Sequence, residues 1–87
     1  MSGMNEKTLR ALVDAGAVKR IRIIGQGSQF HIEADTPNGS VTAVTTRNTL
    51  RTWTRLDQAA KWVRKLGLGS AQIDLRHWTP EQKGMRL

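Results

Sequence analysis

The stretch KRIRIIGQGSQFHIEAD, residues 19–35, restricts the possible folds more than any other part of the sequence. Apolar and polar residues alternate on both sides of its glycines, which is the period of a β-strand with one buried face. The glycines permit a turn between the two strands. The sequence therefore predicts strands at 18–25 and 29–34, with Arg20 and Arg22 on the face opposite Ile21 and Ile23.

Three more strands are predicted downstream. The turn DTPNG contains a proline that fixes one backbone dihedral and an Asn-Gly pair that tolerates positive φ, so a strand rich in Val and Thr follows at 40–46. A short fourth strand is predicted at 50–53. A fifth begins at Ala71, where Ile73 and Leu75 alternate with polar residues and are expected to face the core.

Two helices complete the pattern. Residues 5–15 repeat apolar side chains at helical spacing, with Asn5 as the expected N-cap and Gly16 as the expected C-terminal stop. In TRLDQAAKWVRKLGLG the apolar residues share one helical face, and Gly67 is suited to end that helix. Thr54 and Asp57 are expected to form a capping box at its start.

These elements predict an α+β fold in the order α-β-β-β-β-α-β. Two layers are expected, with two helices on one face of a mostly antiparallel sheet of four to five strands, and the other face of the sheet uncovered. A chain of 87 residues has room for one core. We therefore expect a single domain over residues 1–78 and a flexible C-terminal tail over residues 79–87, where no apolar period remains.

The charge is strongly positive. Fourteen Lys and Arg oppose seven Asp and Glu, and most of the surplus lies in residues 44–87. Such a surplus favours contact with a polyanion such as DNA, through long-range attraction and counterion release. A second interpretation, which the sequence leaves open, is that these cations only keep a small protein in solution.

Two groups of residues are candidates for nucleic-acid binding. One lies on the uncovered sheet face, where alternating cations and polar side chains would suit a nucleic-acid groove. The other surrounds the turn before the short fourth strand. A solvated sheet face is the competing interpretation of the first group. The candidates are Arg20, Arg22 and His31 on the sheet, and Arg47, Arg51 and Arg55 near the turn.

The three tryptophans allow two interpretations. Each can bury a large area, so all three could fill a small core, with Trp62 at the border of its helix face. Alternatively one of them could contact a protein partner or a second copy of the chain. Trp78 is then the candidate for partner binding, because it stands where the predicted tail begins.

No motif indicates catalysis or cofactor binding. The chain has no cysteine, its carboxylates are scattered, and its two histidines, His31 and His77, lie on different predicted elements. We expect no metal, no cofactor, no small-molecule substrate and no enzymatic activity. The absence of cysteine fits a cytoplasmic protein, and no apolar run approaches the roughly 20 residues of a membrane helix.

Residues 18–67 resemble the arm-type, AP2-like DNA-binding domains of tyrosine recombinases. The likeness consists of a three-stranded meander followed by a bracing helix, here LDQAAKWVRKL. It implies a sheet that enters the major groove of DNA. The first helix and the last strand and tail are additional to that family's pattern.

The segments KTLRALVDAGAVKRIRII, FHIEADTPNG and LRTWTRLDQAAKWVRKLGLG, with W-x-P-x-Q-K-G near the end, resemble the small ParC-family partition-associated proteins of bacterial plasmids and integrating conjugative elements. The likeness spans nearly the whole chain. It implies a bacterial, cytoplasmic accessory role in maintaining a mobile element, and it carries over no binding residues.

These features lead to one hypothesis and one alternative. The hypothesis is a non-enzymatic accessory protein of plasmid or integrative-element maintenance, which binds DNA electrostatically through the basic sheet face. The alternative is a protein–protein adaptor or homodimer that binds a partition protein and not DNA.

Overall fold

Five strands and two helices form the part of the chain that the computed structural model describes, residues 2–79. The strands build one sheet, and both helices pack on the same face of it. The predicted α+β fold is confirmed. In chain order the elements are β1 (Ser2–Met4), α1 (Glu6–Asp14), β2 (Arg20–Gly27), β3 (Gln29–Thr36), β4 (Gly39–Ala43), α2 (Leu56–Leu66) and β5 (Gln72–Trp78).

The sheet is mixed and has the strand order β1-β4-β3-β2-β5. Strands β2, β3 and β4 pair antiparallel, whereas β1 is parallel to β4 and β5 is parallel to β2. Parallel neighbours require long connections, and α2 lies in the connection that brings the chain back to β5. The expectation of a mostly antiparallel sheet is therefore wrong for the two edge strands, which pair parallel to their neighbours.

Two strand predictions differ from the structure. The sequence does not predict β1, which has only three residues and is defined by its pairing with β4. The strand predicted at 50–53 is wrong. Leu50 and Trp53 make only isolated bridges, to Val44 and Phe30 respectively. Bends on both sides of this segment leave it too short for a continuous ladder.

Three of the four helix ends follow the sequence. Asn5 caps α1 by accepting the backbone N–H of Thr8 at 3.0 Å. Gly16 and Gly67 follow the two helices with positive φ angles of 74° and 105°, which glycine adopts without steric strain. Across residues 2–79, no helix has the length and apolarity needed to cross a membrane.

The start of α2 is different from the prediction. Arg55 occupies the capping position, and no side chain caps the helix there. Asp57 accepts a hydrogen bond from Nε of Arg55 at 3.1 Å. The expected capping box of Thr54 and Asp57 is therefore wrong, because the acidic side chain pairs with the arginine.

The core lies between the helices and one face of the sheet. Alternate residues of the three central strands and the inner stripe of each helix build it, as the periodicity predicts. Trp62 belongs to it with 4% of its surface exposed, so its expected position at the border of the helix face is corrected. The other core side chains are Leu9, Ile21, Ile23, Phe30, Ile32, Ala34, Val41, Ala43, Ala59, Val63 and Leu66.

Strand β5 forms one edge of the sheet and is less covered than predicted. Ile73 pairs with Ile23 in register, so its side chain points to the helix side of the sheet. Ile73 and Leu75 are nevertheless 50% and 43% exposed. Their expected burial is wrong, because the helices cover the central strands and leave the edge strand open.

Candidate nucleic-acid interface

Arg20 and Arg22 lie on the open face of the sheet, as predicted, but acidic neighbours hold both of them. Nη2 of Arg22 is 2.7 Å from Oδ1 of Asp35 and 3.2 Å from Oε1 of Glu33. Nε of Arg20 is 3.4 Å from Oδ2 of Asp35. The hydroxyl of Ser40 donates to Oδ1 of Asp35 at 2.8 Å, which completes an ion-pair network across three strands.

The antiparallel register explains this network. Arg20 stands directly opposite Asp35, and Arg22 directly opposite Glu33. Opposite charges at facing positions attract, and their side chains lie on the same face of the sheet. The Ser40 hydroxyl lowers the pKa of Asp35 most, burial raises it, and the two arginines lower it further, so that the net change is downward. Asp35 is therefore ionised at neutral pH and neutralises positive charge on this face.

The charges on strand β5 also balance each other. Arg76 pairs with Asp74 on β5, with Nη2 and Oδ2 2.7 Å apart. The bonds from Arg76 hold the pKa of Asp74 well below its usual range, and the pKa of Arg76 rises in turn. Strands β2 to β5 contain three arginines and three carboxylates. The sheet face therefore has no surplus of cations, which corrects the expectation of a basic sheet face.

His31 is also held within the sheet. Its Nε2 lies 3.3 Å from Oε2 of Glu33, and its side chain is 13% exposed. The structure therefore places His31 next to the predicted arginines but turns its polar edge toward a carboxylate. In the described range 2–79, no three His, Asp or Glu side chains cluster closely enough to hold a metal ion.

The surplus of positive charge lies on the helices and the segment before α2. Helix α1 and residues 51–66 together carry seven Lys and Arg but only three carboxylates. Because both helices pack on the same face of the sheet, their polar sides point away from it together. We call this the helix-side surface. Its cations are Lys7, Arg10, Arg51, Arg55, Lys61, Arg64 and Lys65.

Arg51 is the most firmly positioned of these cations. Its guanidinium carbon lies 5.5 Å from the ring centre of Trp53 and 5.3 Å from that of Trp62. The two indole rings are themselves 5.1 Å apart. Cation–π contact with two rings fixes the arginine at the surface. About a third of its side chain, 35%, stays exposed for contact with another molecule.

Glu6 joins the two helices at this surface. Its Oε2 accepts a hydrogen bond from Arg10 at 3.1 Å, and its Oε1 accepts the indole N–H of Trp62 at 3.2 Å. Burial raises the pKa of Glu6, but hydrogen bonds from Arg10 and Trp62 and the nearby charges of Lys65 and Arg51 together lower it below its ordinary value. Glu6 thus stays ionised and holds the cations around it.

A shallow cleft opens beside Glu6. It has a volume of about 410 Å³, and its lining includes Lys7, Arg10, Thr46 and Arg51. Arg47 follows Thr46 in the adjoining turn and is exposed. Three cations and the ionised Glu6 thus line one concave site with a net positive charge, and a fourth cation, Arg47, lies next to it along the chain. Such a site is suited to anionic oxygens such as those of phosphates.

Arg55 completes the second predicted group. Its side chain is 68% exposed, and Asp57 is its ion-pair partner. The hydrogen bond from Arg55 lowers the pKa of Asp57 most. Arg51 and Arg55 therefore belong to the helix-side surface, and Arg47 lies beside it. The structure separates them from Arg20, Arg22 and His31, which lie on the opposite face of the sheet.

No protein-family model, curated protein or solved structure matches this chain. The position of each charged side chain is therefore the basis for a functional interpretation. The candidates predicted from the sequence include none of the cations within the two helices, which are Lys7, Arg10, Lys61, Arg64 and Lys65. The feature of the sequence that points to these cations is that both helices must cover the same face of one sheet, which brings their polar sides together.

Trp78 is less exposed than its position in the sequence suggests. Its ring lies 5.2 Å from that of Phe30, and a Cβ added at Gly25 would be 2.7 Å from its Cβ. Trp78 is half-buried against the core. The structure therefore supports the core-filling interpretation of this residue. The predicted tail at 79–87 lies outside the described residues except for Thr79, whose N–H bonds the carbonyl of Gly27 at 2.8 Å.

Proposed function

We propose that this protein is a non-enzymatic DNA-binding accessory protein that acts in the bacterial cytoplasm in the maintenance of a plasmid or integrative element. The DNA-binding part of the proposal is supported by the charge separation between the two faces of the molecule. The maintenance role is supported by the resemblance to ParC-family partition-associated proteins. The helix-side surface replaces the sheet face as the proposed contact with DNA.

Four of the seven cations of this surface are available to phosphates without competition from a carboxylate in the described part of the chain. Within the described range, Lys7, Lys61, Arg64 and Lys65 have no carboxylate within 4.0 Å. A Lys or Arg that neutralises a phosphate releases a condensed counterion from DNA, and this release drives binding. In contrast, Arg22 already has two carboxylate partners, so DNA would have to compete with them.

The arrangement favours contact with the backbone of DNA over contact with bases. The cations are spread over α1, α2 and residues 51–55, and α2, which carries the most of them, contributes only Lys61, Arg64 and Lys65. Contacts of this kind position a protein on a duplex without selecting a sequence. We therefore propose weakly specific, salt-dependent binding.

Fluorescence anisotropy with a labelled duplex of random sequence tests this function. We expect the logarithm of Kd to rise linearly with the logarithm of salt concentration between roughly 50 and 300 mM KCl, with a slope of about 0.9 for each phosphate contact. Absence of binding at the lowest salt, or a Kd that does not change with salt, would contradict the proposal.

A protein–protein adaptor or homodimer that binds a partition protein and not DNA remains the second candidate. The observation that favours it is the exposed apolar side of β5, formed by Ile73 and Leu75. Exposed apolar side chains that lie together mark protein contacts more often than isolated ones do. A pure adaptor would give no anisotropy change with DNA at any salt concentration, which separates the two candidates.

A further inference from the structure

An apolar groove lies between α2 and the edge strand β5. It has a volume of about 450 Å³ and is lined mainly by carbon atoms. Ile73 forms part of its floor and is half exposed, and Leu75 lies two residues further along the same strand. The other apolar residues of the groove are Ile23, Ala60, Val63, Leu68 and Ala71.

The groove occupies a place where a helix could lie. Helix α2 packs over the central strands, and β5 extends the sheet beyond it with no helix above it in the described part of the chain. A helix placed beside α2 would cover Ile73 and Leu75 and would continue the helical layer of the fold. A groove of this shape is suited to the apolar face of an amphipathic helix.

Cations line the polar rim of the groove. Lys61 and Arg64 line it from α2, and neither has a carboxylate within 4.0 Å among residues 2–79. Lys19 lies in an adjoining recess that shares Leu68 and Ala71 with the groove. The rim therefore complements an acidic partner and opposes a basic one.

Two other possible occupants have the wrong charge. A second copy of this chain carries a net charge of +7 and would bring its own basic rim close to this one. The segment at 80–87 contains Lys83 and Arg86 against a single Glu81, so it is basic as well. An acidic segment from another protein avoids this repulsion.

From this geometry we infer that the groove between α2 and β5 is a docking site for an acidic amphipathic helix of a partner protein. Apolar side chains of that helix contact Ile73 and Leu75, and its carboxylates pair with Lys61 and Arg64. The apolar floor of the groove is not part of the proposed DNA contact, but its rim shares Lys61 and Arg64 with the helix-side surface. An acidic partner in the groove therefore competes with DNA for these two cations.

Binding of a labelled synthetic peptide tests this inference. The probe is a helix-forming peptide of Leu, Ala and Glu, roughly 18 residues or five turns long, with leucines at positions i, i+3, i+4 and i+7. The control peptide has the same composition in an order that removes the apolar stripe. We expect saturable binding of the striped peptide to the full chain and binding at least about tenfold weaker for the control.

Matched variants locate the binding site. Ile73→Asp should weaken peptide binding at least about tenfold, whereas Leu50→Asp should leave it nearly unchanged. Leu50 is the right control because it is 51% exposed, against 50% for Ile73, and lies away from the groove. Arg64→Glu should also weaken binding, and Arg47→Glu should not, which tests the rim without altering the apolar floor.

Three results would overturn the inference. The first is equal binding of the striped and control peptides. The second is an unchanged affinity of correctly folded Ile73→Asp and Arg64→Glu, with folding checked by circular dichroism. The third is sedimentation of the parent chain as a dimer that Ile73→Asp dissociates, because a second copy then occupies the groove. The salt dependence of DNA binding, measured in parallel without peptide, tests the proposed function separately: Ile73→Asp removes no cation, so its slope should equal that of the parent whether or not the peptide binds.

Discussion

The side chain of Arg22 lies 2.7 Å from that of Asp35 on the open face of the sheet, and this ion pair neutralises positive charge on that face. An arginine with a carboxylate at this distance contributes little net field to its surroundings. The same holds for Arg20 and Arg76, which also have acidic partners. The surplus of positive charge is therefore carried by the helices, on the other side of the molecule.

The Asp35 network predicts a loss of stability in acid. The folded-state pKa of Asp35 is lowered, chiefly by the Ser40 hydroxyl and then by Arg22. A lowered pKa stabilises the fold above the ordinary value of about 4 for aspartate, and that stabilisation is lost as pH falls toward the folded-state pKa. We expect the Tm of the parent chain to fall below about pH 5, and the Tm of Asp35→Asn to fall less steeply.

Thermal unfolding followed by circular dichroism between pH 7 and pH 3 measures this difference. Ser40→Ala removes the hydrogen bond that lowers the pKa most, so its pH dependence should lie between those of the parent and Asp35→Asn. Parallel curves of Tm against pH for all three proteins would show that the network does not contribute to the pH dependence of stability.

Gly25 is predicted to resist substitution because of Trp78. A Cβ at this position would lie 2.7 Å from Cβ of Trp78 and 3.2 Å from Cε1 of Phe30, closer than carbon atoms pack. Gly25→Ala should reduce the free energy of unfolding by about 1 to 3 kcal/mol. Urea unfolding gives this value directly.

Gly69→Ala is the matched control for that substitution. A Cβ at Gly69 has no atom within 4 Å, and the residue has no positive φ. Its free energy of unfolding should stay within about 0.5 kcal/mol of the parent value. If both alanine variants are equally stable, Trp78 does not pack over β2 as described.

Trp62 and Glu6 are predicted to stabilise the fold together. The indole N–H donates to Oε1 of Glu6 at 3.2 Å and connects α2 to the first turn of α1. Trp62→Phe keeps an aromatic ring but loses the donor, so it should cost about 1 kcal/mol for the hydrogen bond and more for the lost ring volume.

A double-mutant cycle with Glu6→Ala isolates the hydrogen bond. We expect a coupling free energy of about 0.5 to 1.5 kcal/mol between the two substitutions in urea unfolding. Additive effects of Trp62→Phe and Glu6→Ala would show that the bond does not stabilise the native state.

Local sequence signals predicted the backbone well where one pattern dominated. The alternation around Ile21 and Ile23 gave the central hairpin, and Asn5, Gly16 and Gly67 marked helix ends correctly. Local patterns do not predict a strand correctly where its formation depends on the strand that it pairs with. Three residues of β1 become a strand only by pairing with β4, and the segment at 50–53 lacks a partner along its length.

The site was harder to predict because it depends on contacts between elements. Alternation placed Arg22 and Glu33 on one face, but only the hairpin register shows that they stand opposite each other. Similarly, the spacing of Ile73 and Leu75 indicates an inward face, but it does not tell whether a helix covers that face. Arg51 gains its position from Trp62, which is on another element.

Two triple variants with equal net charge test the central claim, that the helix-side surface and not the sheet binds DNA. The first replaces Lys7, Lys61 and Lys65 by Gln. The second replaces Arg20, Arg22 and Arg76, the three arginines of strands β2 to β5, by Gln. Each variant lowers the net charge by three.

Salt-dependent anisotropy with a labelled DNA duplex is the deciding measurement. We predict that the helix-side variant loses about one unit of salt slope per phosphate contact removed and binds at least about tenfold more weakly, whereas the sheet variant changes Kd less than about threefold. Equal weakening of both variants, or greater weakening of the sheet variant, would contradict the account.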